Sequence, residues 1–121
     1  MPWNVILLSE VRAWFDTLDE ETTGQVTAAF DLLEATGPTL GRPLVDTLHG
    51  SSLPNLKELR PGSAGKSEVR ILFVFDPRRQ AVLLVAGDKS GQWKQWYADH
   101  IPLAEQRYAC WLAGDYDEEE P

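Results

Sequence analysis

Between residues 67 and 86 two nearly uninterrupted apolar runs, SEVRILFVF and QAVLLVA, are separated only by DPRR. Runs of this length, rich in β-branched and aromatic residues and divided by turn-forming chemistry, commit the chain to an antiparallel hairpin, with strands over 67–75 and 80–86. In the first strand Val69, Ile71, Phe73 and Phe75 fall on one face, and Arg70, Leu72 and Val74 on the other. An arginine on an otherwise apolar strand face is costly unless it meets an anion. Arg70 is therefore a candidate site residue.

The other elements arrange themselves around this hairpin. A third strand candidate, residues 53–59, precedes the first run across RPGSAGK, which makes a three-strand meander. WNVILL at 3–8 reads as a short buried strand. Ser9 can cap a helix carrying Val11, Trp14, Phe15 and Leu18, and a second helix begins near residues 20–22, buries Val26, Ala29, Phe30 and Leu33, and stops at Gly37-Pro38. Two helices joined so tightly form an antiparallel hairpin. Residues 37–54 read as a loop with at most one helical turn. The last helix spans about 94–112, with Pro102 expected to break or restart it. The fold class is α+β: a small, antiparallel-dominated sheet of the N-terminal strand plus the meander, one face covered by the N-terminal helix hairpin and the other left for something else, with a C-terminal helix. Residues 1–113 form one domain, and 114–121, GDYDEEEP, form a solvated, disordered acidic tail.

Charge is distributed unevenly. The 121 residues carry a net charge of −8, which would repel a polyanion. Yet eight of the eleven basic residues lie between Lys57 and Lys94 with only four acids, a balance of +4 against −12 for everything else. Such a basic centre suggests an anion site on a repulsive surface. Its end, GDKSGQWKQWY, gathers lysines and flat aromatic rings at one junction. The single cysteine, Cys110, excludes an intramolecular disulfide and fits a reducing compartment. His49 and His100 lack partners at metal spacing and read as surface residues, so no metal or other cofactor is expected. With no apolar stretch approaching about 20 residues, a cytoplasmic location and no membrane partner are expected.

LKELR, EVRILFVFD and AVLLVAGDKSG, in this order and spacing, resemble the RelE/HigB superfamily of bacterial toxins, and more closely its HigB branch, the phage Gp49-like proteins. The resemblance runs from about Trp3 to Leu112 and implies a RelE-like fold. It also implies a toxin of a type II toxin–antitoxin system: a ribosome-dependent mRNA endoribonuclease that inhibits translation. Its implied partners are a helix-turn-helix, HigA-like antitoxin and the ribosome with its mRNA, with DNA engaged only through the antitoxin. Cleavage through attack of the 2′-hydroxyl on the adjacent phosphate needs no metal. It needs a base, stabilisation of charge on phosphorus, and in-line geometry.

The resemblance assigns phosphate-binding roles to Arg60 and Arg70, a basic role to Lys89, and base stacking or proton transfer to Tyr97. Trp93 and Trp96 are alternative stacking platforms, or simply core. Lys94 is expected on phosphate, with Lys57 and Lys66 steering RNA. Glu58 is either an ion-pair partner for the arginines or the general base. Two other readings stay open: a non-enzymatic gyrase inhibitor like the ParE proteins, and a degenerate member that only binds its antitoxin or nucleic acid.

Overall fold

The computed structural model describes residues 2–62 and 68–116. The elements follow as β1 (Asn4–Leu7), α1 (Ser9–Phe15), α2 (Glu20–Thr36), a 3-10 turn (Gly37–Thr39), β2 (Val45–Thr47), β3 (Lys57–Leu59), β4 (Val69–Asp76), β5 (Gln80–Asp88) and α3 (Trp93–Leu112). The five strands form one sheet in the order β1-β5-β4-β3-β2. The β4–β5 hairpin is its spine. In its turn the buried Asp76 accepts from the Arg78 amide through Oδ1 at 2.7 Å, and Arg79 sits at φ 61. β3 pairs antiparallel with β4 and β2 antiparallel with β3, while β1 joins β5 in parallel, Asn4 opposite Gln80.

Two cores lie on opposite faces of this sheet. Ile71, Phe73, Leu83 and Leu59 pack with Val11, Val26, Ala29 and Leu33 of the helix hairpin. Leu72, Val74, Val82 and Leu84 pack with Trp96 and Ala104 of α3. The second face is thus covered by the chain's own last helix rather than left vacant, because α3 is long enough to cross the sheet. It runs unbroken through Pro102. A helix tolerates an internal proline when packing on one side holds both halves in line.

Other expectations are corrected in detail. Ser9 is the first residue of α1 and its hydroxyl turns to Glu10, so it does not cap; Asp19 caps α2 by accepting from the Thr22 amide at 2.7 Å. The strand expected over 53–59 is confined to Lys57–Leu59, because Leu53 and Leu56 close a turn. The loop expected over 37–54 holds the edge strand β2. The acidic tail begins later than position 114: Tyr116 is buried, and its hydroxyl donates to Glu10 at 3.0–3.1 Å. Residues 117–121 lie outside the described residues. Among the described residues, no helix is long and apolar enough to cross a membrane.

Candidate functional site

On a strand, residues two apart share a face. Glu58 and Arg60 therefore point the same way, toward α3, and Glu58 stands opposite Asp46 on β2 and Leu72 on β4. The Glu58 side chain is completely buried. A buried carboxylate requires charged or hydrogen-bonding partners, and three surround it. Arg60 Nε donates to Oε1 at 2.9 Å, Arg70 Nε lies 3.9 Å from the same oxygen, and the Tyr97 hydroxyl donates to Oε2 in a short hydrogen bond. Tyr97 comes from the first turns of α3, 39 residues away in sequence.

A second carboxylate extends the cluster to the sheet edge. Arg60 Nη2 reaches Asp46 Oδ2 at 3.2 Å, and Arg42 Nη2 meets the same oxygen at 3.0 Å. The hydrogen bond from Arg42 leads the influences that hold the Asp46 carboxyl below its ordinary range, with lesser help from the Thr47 amide and Arg60, against some desolvation. Burial opposes the charge on Arg60, but the Glu58 hydrogen bond and the charges of Glu58 and Asp46 win and raise its pKa. Burial first, then the hydrogen bond to Glu58 and its charge, push the Tyr97 phenol above its ordinary value; Arg70 opposes this. Tyr97 is consequently a neutral phenol at physiological pH. Arg60 and Arg70 retain 29% and 12% of their side-chain exposure, so both guanidinium groups are partly open to solvent while carboxylates fix their orientation.

The remaining candidates scatter. Lys89 Nζ is drawn to Glu68 Oε2 at 3.3 Å, at the open end of the β4–β5 hairpin, rather than to Glu58. Lys57 faces the helix hairpin side and donates to Thr47 Oγ1 at 2.8 Å, on the opposite face from Arg60. Trp93 is exposed, with the Lys94 ammonium 5.5 Å from its ring centre. Trp96, expected as a stacking platform, is core. It is buried, stacks on His100 at 4.3 Å, meets Tyr97 edge to face at 5.2 Å and lies against Gly87, which leaves no ring face for a base. Lys66 lies outside the described residues. Among these residues no three His, Cys, Asp or Glu side chains gather as a metal site.

Asp46 and Arg42 were not anticipated. They sit in a segment dense in glycine and proline, and nothing in its pattern announces a strand. The centrality of Glu58 could have been found from its alternation with Arg60.

The model of the phage-derived Gp49-like protein family matches residues 13–109. The chain belongs to this family. It is thereby a member of the HigB branch of the RelE/HigB toxin superfamily. A protein of Mycobacterium tuberculosis named "Putative toxin HigB3" is 55% identical over 112 residues, covering 93% of this chain and 96% of that protein. A second from the same organism, "Putative toxin HigB2", is 55% identical over 106 residues, 88% of this chain but only 53% of its own length. The Gp49-like fold is RelE-like. The archaeal RelE–RelB complex of Pyrococcus horikoshii contains a chain with a TM-score of 0.59 at 17% identity, covering 75% of this chain and 99% of that one. A mutant of the E. coli toxin RelE in the free state gives 0.57 at 11%, covering 79% and 93%.

Proposed function

We propose that this protein is the toxin of a type II toxin–antitoxin pair and acts as a ribosome-dependent endoribonuclease on mRNA in the cytoplasm. Membership of the RelE/HigB superfamily and the names of the mycobacterial relatives support the toxin role. A solved complex of a RelE-fold chain with RelB supports an antitoxin partner; a helix-turn-helix antitoxin, the ribosome and mRNA belong to this proposal. The observation that carries the nuclease reading is the meeting of Arg60, Arg70 and Tyr97 around the buried Glu58 carboxylate.

In this reading the two guanidinium groups bind the non-bridging oxygens of the scissile phosphate and stabilise the charge that builds there in the transition state. Glu58 is the base and works through Tyr97. As the 2′-oxygen attacks phosphorus its proton passes to the Tyr97 oxygen, while the phenolic proton passes to Glu58 Oε2. The bond from phosphorus to the 5′-oxygen breaks, leaving a 2′,3′-cyclic phosphate and a 5′-hydroxyl that takes its proton from solvent. No metal enters any step. Arg42 and Asp46 hold Arg60, and Trp93, Lys94 and Lys89 lie outside the chemical core as candidate RNA contacts.

One observation favours a second reading, a member that binds its antitoxin without cutting RNA: both arginines are already paired with carboxylates. Expression in a bacterium separates the two. The nuclease reading expects growth and protein synthesis to stop, with Arg70→Ala restoring both. Growth unaffected by a stably expressed wild-type protein counts for the second reading.

A further inference from the structure

A cleft of about 350 Å3 opens between α3 and the connection from β2 to β3, lined by Tyr97, Ala98, Ile101 and Pro102 on one side and His49 and Gly50 on the other, with Glu105 completing it. Tyr97 belongs both to this cleft and to the Glu58 cluster. A phosphate at Arg60 and Arg70 would therefore place an adjoining nucleoside within reach of the cleft. Its aromatic and aliphatic walls suit the flat face of a base.

The polar groups of the cleft are of one kind. Proline has no amide hydrogen, so Pro102 cannot make the helical bond to the carbonyl four residues earlier, that of Ala98. Both residues line the cleft. Glu105 Oε2 accepts from Ser51 Oγ at 2.8 Å and Ser52 N at 2.7 Å, which ties the opposite wall to the helix. Led by the Ser52 amide, these bonds hold its carboxyl below the ordinary value, so it is ionised at neutral pH. A main-chain carbonyl and a carboxylate both accept hydrogen bonds and donate none. They welcome an exocyclic amino group and repel the carbonyl oxygens of uracil.

We propose that this cleft is a nucleobase subsite, selective for a base bearing an exocyclic amino group, beside the phosphate position at Arg60 and Arg70. It deepens the nuclease reading and rests on it for the identity of the ligand. It also accounts for a proline in the middle of a long helix.

The test is titration of the full chain with ApA and UpU, each blocked by 2′-O-methylation, followed by amide chemical shifts. ApA is expected to perturb Gly50, Ala98 and Ile101 and to bind about tenfold tighter than UpU, the worth of one or two good hydrogen bonds. Pro102→Ala restores the missing amide donor. It should leave the melting temperature unchanged or higher while drawing the ApA:UpU ratio toward one, a combination that a purely structural proline would not produce. Glu105→Gln should also shrink the ratio. Equal binding of the two dinucleotides, no binding of either, shifts confined to other surfaces, or a ratio untouched by both variants overturns the subsite. Cleavage of mRNA without ApA preference removes the subsite alone. ApA preference erased by Pro102→Ala, with mRNA left intact on ribosomes, upholds the subsite and removes the nuclease reading alone.

Discussion

Removing the Glu58 charge would leave Arg60 and Arg70 facing one another in a partly dry site, with the Tyr97 hydroxyl deprived of its charged acceptor. Breaking a buried pair from one side costs about 3–5 kcal/mol, so Glu58→Gln should lower the urea midpoint substantially with an unchanged slope; a shift of under about 1 kcal/mol, the range of exposed pairs, would show that the carboxylate is not held as described. The tyrosines provide a second check. All three, Tyr97, Tyr108 and Tyr116, have pKa values above the ordinary 10.0, Tyr116 pushed up to about 12 by burial first and then by its hydrogen bond to Glu10. A raised folded-state value means that the stability each contributes is complete below the unfolded value near 10 and is lost as pH rises through the folded one. Absorbance titration should therefore show no phenolate step in the native protein at the ordinary value, and Tyr97→Phe should remove amplitude only from the far alkaline part. At this scale the sequence was informative where alternation could be counted. Arg70 on an apolar face demanded an anion, and Glu58 and Arg60 two apart on a strand already shared a side. The contact of Glu58 with Tyr97 spans 39 residues and no local pattern encodes it. The chemistry of aromatic rings likewise does not distinguish Trp93, which is exposed, from Trp96, which is core.

Between elements, α3 is fastened to β5 through one glycine. Gly87, the cross-strand partner of Arg70, lies under Trp96, and a methyl group there would stand 2.9 Å from the indole nitrogen. Gly87→Ala must displace the ring that braces Tyr97, at a cost of about 1–3 kcal/mol as for other overpacked sites, and thermal denaturation should register it; a neutral substitution would mean that α3 can slide without consequence. The β4–β5 hairpin and the two N-terminal helices were legible because each repeats its own period over many residues. β2 was not, since three residues, Val45–Thr47, are too few to show alternation and their neighbours are loop formers. The uninterrupted course of α3 was also hidden, because propensity reads Pro102 as a stop whereas packing on Leu84 and Val82 decides the outcome.

Over the whole molecule, acidic groups at three separate places hold the structure while ionised: Asp46 at the sheet edge, Glu105 between helix and loop, and Glu10 beneath Tyr116. Each has a pKa below its ordinary value of 3.8 or 4.5. For Glu10, burial pulls upward, and the hydrogen bonds and the Arg107 charge outweigh it. A depressed folded value means stability that is present above the unfolded pKa and lost as pH falls through the folded one. Unfolding followed by circular dichroism should accordingly show stability falling below about pH 4, where these carboxylates begin to take up protons, with Asp46→Asn flattening that limb; an acid limb unaltered in the variant would contradict the role given to Asp46. The single-domain α+β plan and the family were legible from the order of motifs, whereas the covering of the second sheet face by α3 depended on helix length and direction. The most direct measurement is primer extension, with analysis of the ends produced, on mRNA from translating ribosomes supplied with wild-type protein or Arg70→Ala. The account predicts discrete new 5′-hydroxyl ends and matching 2′,3′-cyclic phosphates with wild type, reduced at least about a hundredfold in the variant. Intact mRNA with the wild type, or equal cutting by a folded Arg70→Ala protein, would contradict it.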